Sequence, residues 1–271
     1  MVSSRRSTGE VRSPSPVAAL LRRDRVVIAC CIAGVTTLAW AYLVHLSRQM
    51  SSPTNAMTMV ASMGMAAKAP LSAADLVMTW VMWSVMMIGM MSPSAAPVVL
   101  LFAGTQARGD RHGGHVAVTL FGVGYLAIWL GFSAAAALTQ SAFHQAALLS
   151  PAMTIVSSRL SGVILIGAGV YQLTPAKSAC LRHCQSPLGF LMSNWSDGSR
   201  GAAWMGLRHG LYCMGCCWAA MGVLFVVGVM NLAWVGLLTA FILLERLGRA
   251  GMLAARAGGI VMLATGVFFV A

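Results

Sequence analysis

One apolar stretch of the chain, residues 202–227, carries sulfur and imidazole side chains at helical spacing. If the stretch is a helix, residues three or four positions apart are neighbours on its surface, with about 5–6 Å between their Cβ atoms. One stripe of that helix then holds an imidazole, three thiols and a thioether, at His209, Cys213, Cys216, Cys217 and Met221. Thiolates and thioethers select soft cations, so the stretch indicates a site for a soft metal ion.

Cu(I) is the ion that we favour for this site, and zinc is the weaker alternative. Zinc binds Cys and His, but it would not explain the methionines that occur elsewhere in the chain. The purely structural interpretation is that membrane cysteines are small apolar side chains and that His209 hydrogen-bonds a backbone carbonyl. We prefer ligation because three thiols occur within residues 213–217.

A second apolar run carries a stripe of methionines. The stripe consists of methionines at steps of four with two more beside them, at Met78, Met82, Met86, Met87, Met90 and Met91. Methionine is a common gap filler in cores, but the density of this stripe exceeds what packing needs. Pro93 and Pro97 follow, and each removes a backbone donor. We therefore expect a broken helix beside the stripe, and an entry site for the ion.

A third group of possible ligands is Cys180 and Cys184, which share a face if their segment is helical. We expect the neighbouring Lys177, Arg182 and His183 to lower the pKa values of both thiols and so to favour thiolates. This group suits a docking or release site for a soft cation, or alternatively a disulfide switch.

The composition is typical of a membrane protein. Hydrophobic residues make up 58% of the chain and charged residues only 9%, which predicts an all-α, polytopic transmembrane helix bundle. The net charge of +12 does not point to nucleic acid, because the basic residues sit at the ends of apolar runs. Seven cysteines are an odd number, and a disulfide framework is not expected within lipid. Cys30 and Cys31 have no partner in the sequence, and we interpret them as structural.

Four segments follow from the hydropathy pattern. We predict a disordered basic cytoplasmic tail at 1–25, a transmembrane anchor at 26–46, a Met-rich extracytoplasmic loop at 47–74 and a six-helix metal-binding domain at 75–271. Including the anchor, about seven spans are expected, at roughly 26–46, 75–103, 115–138, 155–175, 202–227, 230–248 and 257–271.

Lysine and arginine collect in alternate segments between these runs, which predicts the orientation. The bias places the N-terminus in the cytoplasm and, with seven spans, the C-terminus outside the bacterial inner membrane. The extracytoplasmic loop then holds methionines that can wrap a soft ion, at Met50, Met57, Met59, Met63 and Met65.

A few ionisable residues lie within or near the predicted spans. Asp75, Arg159, Arg208 and Glu245 all sit near span ends, where we expect long side chains to snorkel toward water. Arg208 is of interest because it precedes His209. The sequence has no nucleotide-binding loop, nucleophile elbow or paired carboxylates, so ATP-driven transport and hydrolysis have no support.

Three separated motifs resemble a bacterial family described as predicted metal-binding integral membrane proteins, sometimes labelled copper chaperones or chelators. The motifs are WVMWSVMMIGMMSPSAAP at 80–97, YQLTPAKSACLRHCQSPLGFLM at 171–192 and GLRHGLYCMGCCW at 206–218. The resemblance covers about residues 75–270. It implies a metal-handling role and, by motif position, points to Met86, Met87, Met90, Met91, Cys180, Cys184, His209, Cys213, Cys216 and Cys217.

These observations predict an inner-membrane protein, not an enzyme, that binds Cu(I) and moves or hands it across the membrane. Its expected partners are membrane lipid, the metal ion and a copper donor or acceptor protein. The enzymatic alternative is a thiol–disulfide relay between the pair Cys213 and Cys216 and the pair Cys180 and Cys184. A third alternative is a scaffold subunit for cuproenzyme assembly, in which the sulfur residues only pack.

Overall fold

The computed structural model describes residues 16–50, 73–106, 111–149 and 154–271. Within these ranges the backbone forms ten α-helices and no strand beyond one isolated bridge between Leu149 and Ile155. The all-α prediction is confirmed. The helices are α1 (Pro16–Met50), α2 (Ala73–Gln106), α3 (Arg111–Gln145), α4 (Ser158–Leu173), α5 (Pro175–Gln185), α6 (Pro187–Asn194), α7 (Gly198–Gly222), α8 (Leu224–Val227), α9 (Leu232–Glu245) and α10 (Gly248–Val270).

Among the residues that the structure describes, five helical segments are long and apolar enough to cross a membrane. They are Arg25–Gln49, Ala73–Gln106, Gly113–Gln145, Gly198–Val227 and Gly248–Val270. The runs predicted at 155–175 and 230–248 form α4 and α9, which have 16 and 14 residues and are shorter than the approximately 20 residues that a span needs. The last run is longer than predicted, because α10 begins at Gly248 rather than near 257.

The N-terminal boundaries also differ from the prediction. Helix α1 begins at Pro16 and so includes 16–25, which we placed in the disordered tail. Met50, which we placed in the Met-rich loop, is the last residue of α1. Residues 51–72, with the other methionines of that loop, lie outside the described residues.

Helix α2 is continuous through Pro93 and Pro97, so the prediction of a broken helix is wrong. Side chains of the bundle also donate to backbone carbonyls of α2 in the turn around Pro93. The hydroxyls of Ser94 and Tyr125 donate to the Met91 carbonyl at 2.6 and 3.0 Å. Nη1 of Arg246 donates to the Ser94 carbonyl at 3.0 Å.

Helices α2 and α7 run antiparallel, as contacts at three levels show. Toward one end, Phe102 of α2 shares an apolar cluster with Met205 of α7. In the middle, the Ser94 hydroxyl lies 3.8 Å from the sulfur of Cys213. At the other end, the ring centroids of Trp83 and of Phe225 in α8 are 5.2 Å apart. The thiol-bearing stretch of α7 therefore lies level with the end of the methionine stripe that is nearest Ser94.

Helix α3 packs very closely against α7. A Cβ atom at Gly206 would overlap the backbone carbonyl of Phe121, and one at Gly124 would overlap that of Ala203. Glycine at both positions lets the two backbones approach, as small residues do between membrane helices. This close packing carries Tyr125 to the thiols of α7.

Candidate metal site

Cys213 is the centre of a buried polar cluster. Its sulfur lies 3.0 Å from Nη2 of Arg246, 3.2 Å from the hydroxyl of Tyr125 and 3.8 Å from that of Ser94. Cys213 belongs to α7, and its three partners come from three other places: Arg246 directly follows α9, Tyr125 is in α3 and Ser94 is in α2. Four separate parts of the chain therefore meet at one sulfur. A guanidinium against a buried sulfur is an arrangement that stabilises negative charge there.

A second thiol contact joins α7 to α5. The sulfurs of Cys216 and Cys184 are 4.0 Å apart, and both side chains are buried. Cys216 and Cys217 each place their sulfur 3.0 Å from the Cys213 carbonyl. Cys180 is half-buried one turn before Cys184, and a Cβ at Gly215 would lie only 2.9 Å from its sulfur. The inner cysteine pair is therefore continuous with the thiols of α7 rather than a separate site.

The expected effect of nearby cations on the inner cysteine pair is wrong. Burial raises the pKa of the Cys180 thiol above its ordinary value. The cations are engaged elsewhere or face outward: Lys177 pairs with Glu245, and Arg182 is exposed. His183 stacks on Tyr212, with ring centroids 4.1 Å apart, and so does not serve the thiols.

His209 lies one turn before Cys213 and is completely buried. Its ring packs against those of Tyr125, Phe121 and Phe190, at centroid distances of 5.7, 6.1 and 4.9 Å. Neither ring nitrogen has a hydrogen-bond partner among the described residues, so the carbonyl bond of the structural interpretation is not found. An unsatisfied buried polar group costs about 1–3 kcal/mol, which calls for a ligand or another compensation.

The methionines extend this site along the bundle. Members of the same buried cluster as the thiols are Met82, Met86, Met87, Met90, Met91 and Met221, whereas Met78 is 59% exposed. The sulfur of Met91 lies 4.0 Å from the Ser94 hydroxyl that contacts Cys213. At about 1.5 Å of rise per residue, Met82 is about 13 Å further along α2 than Met91. The stripe is therefore too long to surround a single ion. Its buried members, Met82, Met86, Met87, Met90 and Met91, form a row that leads to the thiols, which we call the methionine ladder.

The described residues contain no group of three or more His, Cys, Asp or Glu side chains that could hold a metal ion. A closed zinc site of four such ligands is therefore not formed by them. Smaller sets of thiols completed by a thioether suit Cu(I), which prefers soft sulfur ligands.

Arg246 and Tyr125 are residues at this site that sequence reasoning missed. The sequence places Arg246 among the loop arginines, and 33 positions separate it from Cys213. One local signal was present, because Arg246 directly follows an acidic residue at the end of an apolar run. Arg208, which drew interest as the neighbour of His209, is exposed instead.

A buried ion pair fixes the segment that carries Arg246. Nζ of Lys177 lies 2.7 and 2.8 Å from the two carboxylate oxygens of Glu245 and 2.6 Å from Oε1 of Gln172. Gln185 donates to the Glu245 carbonyl at 2.8 Å. We expected Glu245 to snorkel toward water, but it is buried in the bundle, where Lys177 neutralises its charge. The pair fixes the end of α9 directly before Arg246.

Comparison with known proteins adds one match. The sequence model of a family described as PpoB2, copper chaperone, matches residues 80–269, which is more than half of the chain. The match confirms the resemblance seen in the three motifs. Neither a curated protein nor a solved structure matches the chain.

Proposed function

The chain belongs to the PpoB2 copper chaperone family, and from this premise we propose that it binds Cu(I) inside the membrane and delivers it across the inner membrane to an acceptor protein. The ion is cargo, so the site has to bind it and also release it. Soft sulfur ligands give selectivity for Cu(I) over the hard cations that are more abundant in cells.

The single observation that carries this proposal is the state of His209. Its two ring nitrogens are buried one turn from Cys213, and nothing in the described part of the chain bonds to them. A bound cation would satisfy one of those nitrogens, and neutral imidazole is a common metal ligand. We assign Cys213 and Cys216 as thiolate ligands, with His209 and Cys184 on either side. Because no three of these groups already stand at metal-binding distance among the described residues, side chains must shift toward the ion as it binds.

Arg246 supplies the positive charge that balances a Cu(I) ion bound by two thiolates. A Cu(I) ion held by two thiolates carries a net negative charge, and burying an unpaired charge is costly. The guanidinium is 3.0 Å from the sulfur of Cys213 and leaves the buried complex near neutrality. Cys213 and Arg246 thus form the proposed ligand and its counter-charge.

The methionine ladder is the proposed route of the ion. It runs from the thiols toward the end of the bundle where α2 begins, and the charge bias predicts that this end is extracytoplasmic. Neutral thioethers bind Cu(I) without adding charge, so an ion can pass from one to the next. The Met-rich loop would capture the ion at the entrance.

Metal analysis of the full chain purified under reducing conditions tests the proposal. The wild type is expected to retain copper and a Cys213→Ser/Cys216→Ser/Cys217→Ser variant to lose it. The matched control is Cys30→Ser/Cys31→Ser, which alters two exposed cysteines of α1 and should keep wild-type copper. Equal copper in the wild type and the triple variant would overturn the proposal.

One contact favours the thiol–disulfide relay as a second candidate. The 4.0 Å approach of the Cys184 and Cys216 sulfurs would allow these thiols, rather than the Cys213 and Cys216 pair, to form a disulfide by exchange with a partner's disulfide. In that exchange two thiols are oxidised and the partner's two sulfurs are reduced to thiols. A mixed disulfide trapped by Cys184→Ser, together with wild-type copper in the triple variant, would favour the relay.

A further inference from the structure

A cavity of about 380 Å³ lies outside the thiol site, between the end of α4, the first two turns of α5 and the first half of α10. Its volume is within the range of ligand pockets, about 300–1,000 Å³. The polar part of its lining consists of Gln172, Lys177, Ser178, Arg182 and Arg256, and the rest is apolar.

The charge of this cavity is positive. Glu245 already neutralises Lys177, but no carboxylate lies within ion-pairing distance of Arg182 or Arg256 in the part of the chain that the structure describes. Nε of Arg182 donates to the Ser178 carbonyl at 3.2 Å, which orients the guanidinium and leaves its two amino groups for another acceptor. Two unpaired guanidinium groups from different helices therefore line the same cavity.

The remaining walls are apolar. Leu173, Leu181, Met252 and Ala255 line the cavity together with Pro175. Arginine forks match phosphate oxygens in geometry and charge, and basic pockets between membrane helices on the cytoplasmic side bind lipid head groups. The arginine-bearing segments here are the ones that the charge bias predicts to be cytoplasmic. The apolar residues of the cavity can contact acyl chains while the arginines bind the phosphate, so the lining suits a phospholipid better than free inorganic phosphate.

We propose that Arg182 and Arg256 bind the phosphate of an anionic phospholipid head group in this cavity. Ser178 and Gln172 line the same space, but the Ser178 hydroxyl donates to the Thr174 carbonyl and the Gln172 amide is bonded to Lys177 and Glu245, so the two guanidinium groups supply the donors. Leu181 separates the cavity from the thiols, because it lines the cavity and also packs in the cluster that contains Cys184 and Cys216. The lipid site is distinct from the proposed copper ligands.

Native mass spectrometry of the full chain, released from detergent containing either phosphatidylglycerol or phosphatidylcholine, tests this proposal. The wild type is expected to retain phosphatidylglycerol preferentially, and Arg182→Gln/Arg256→Gln to reduce that retention by about tenfold. Arg159→Gln/Arg249→Gln, which changes two exposed arginines outside the cavity, is the matched control and should behave as the wild type.

Two further arms complete the experiment. Ser178→Asp places a negative charge in the cavity and should also abolish the preference, which covers the case that the double variant does not fold. Inorganic phosphate that displaces the lipid only at high concentration supports a lipid site, whereas equal affinity for phosphate and the lipid would assign the site to free phosphate and overturn the acyl-chain part. Unchanged phosphatidylglycerol retention in Arg182→Gln/Arg256→Gln or in Ser178→Asp would overturn the whole proposal.

Discussion

Nη2 of Arg246 lies 3.0 Å from the sulfur of Cys213, in the interior of a helix bundle. The same guanidinium holds the Ser94 carbonyl of α2 at 3.0 Å, so it joins α2 to α7 at the level of the thiols. Its Nε is buried and has no partner among the described residues. The position of Arg246 is best explained by the charge that it faces, since burying an arginine for packing alone is costly.

Replacing Arg246 with methionine removes the counter-charge and should weaken Cu(I) binding by about tenfold or more, because breaking a buried charge interaction costs several kcal/mol. Competition with a chromogenic Cu(I) chelator measures the change. Arg249→Met, an exposed arginine in α10, is the control. An unchanged or tighter Cu(I) affinity in folded Arg246→Met would mean that the guanidinium does not support the bound ion.

Replacing Met86 and Met90 with leucine should slow copper movement without reducing the copper held at the thiols. Leucine keeps the volume of methionine, so the cost in stability is expected to be under about 1.5 kcal/mol. The rate of copper entry into vesicles containing the reconstituted protein measures the effect. Met78→Leu, at an exposed position of the same helix, should leave the rate unchanged. Equal rates for all three proteins would argue that the ladder only packs.

Replacing Lys177 with methionine should destabilise the protein strongly, by about 3–5 kcal/mol, because it leaves Glu245 buried without its partner. The double variant Lys177→Met/Glu245→Gln removes both charges and should recover most of that loss. Thermal unfolding in detergent compares the variants. A single variant as stable as the wild type would show that the pair does not fix the end of α9.

Alkylation of Cys180 should need a higher pH than alkylation of a free thiol. Burial raises the pKa of this thiol, so the reactive thiolate is scarce until the pH exceeds the raised value. Peptide mapping after brief treatment with iodoacetamide across a pH series measures its reactivity, with N-acetylcysteine as the reference. Reaction of Cys180 at the same pH as the reference, or at a lower one, would contradict this expectation.

The helical fold and the chemistry-bearing faces were predictable because they depend on local periodicity. The apolar runs, the methionine stripe and the spacing of Cys213, Cys216 and Cys217 are all readable within a few turns. The contact of Cys184 with Cys216 and that of Arg246 with Cys213 were not, because each depends on how separate helices pack. The same holds for the side-chain bonds that α2 accepts near its prolines, since the donors are Tyr125 of α3 and Arg246, the residue after α9.

The lengths of α4 and α9 escaped prediction for another reason. Their apolar runs extend beyond the helices. Helix α4 ends before Thr174, whose side chain caps α5, and α9 begins only after Asn231. Hydropathy alone does not distinguish a helix from the apolar residues beside it. The buried pair of Lys177 and Glu245 lies where α4 and α9 end and α5 begins, at a place where the sequence suggested water-facing side chains.

X-ray absorption at the copper edge of the loaded, reduced full chain tests the central claim most directly. We predict a Cu(I) edge, a first shell dominated by sulfur and one nitrogen scatterer that disappears in His209→Phe. A first shell of nitrogen and oxygen alone, or a sulfur shell unchanged in Cys213→Ser/Cys216→Ser, would contradict the assignment of these residues as the copper ligands.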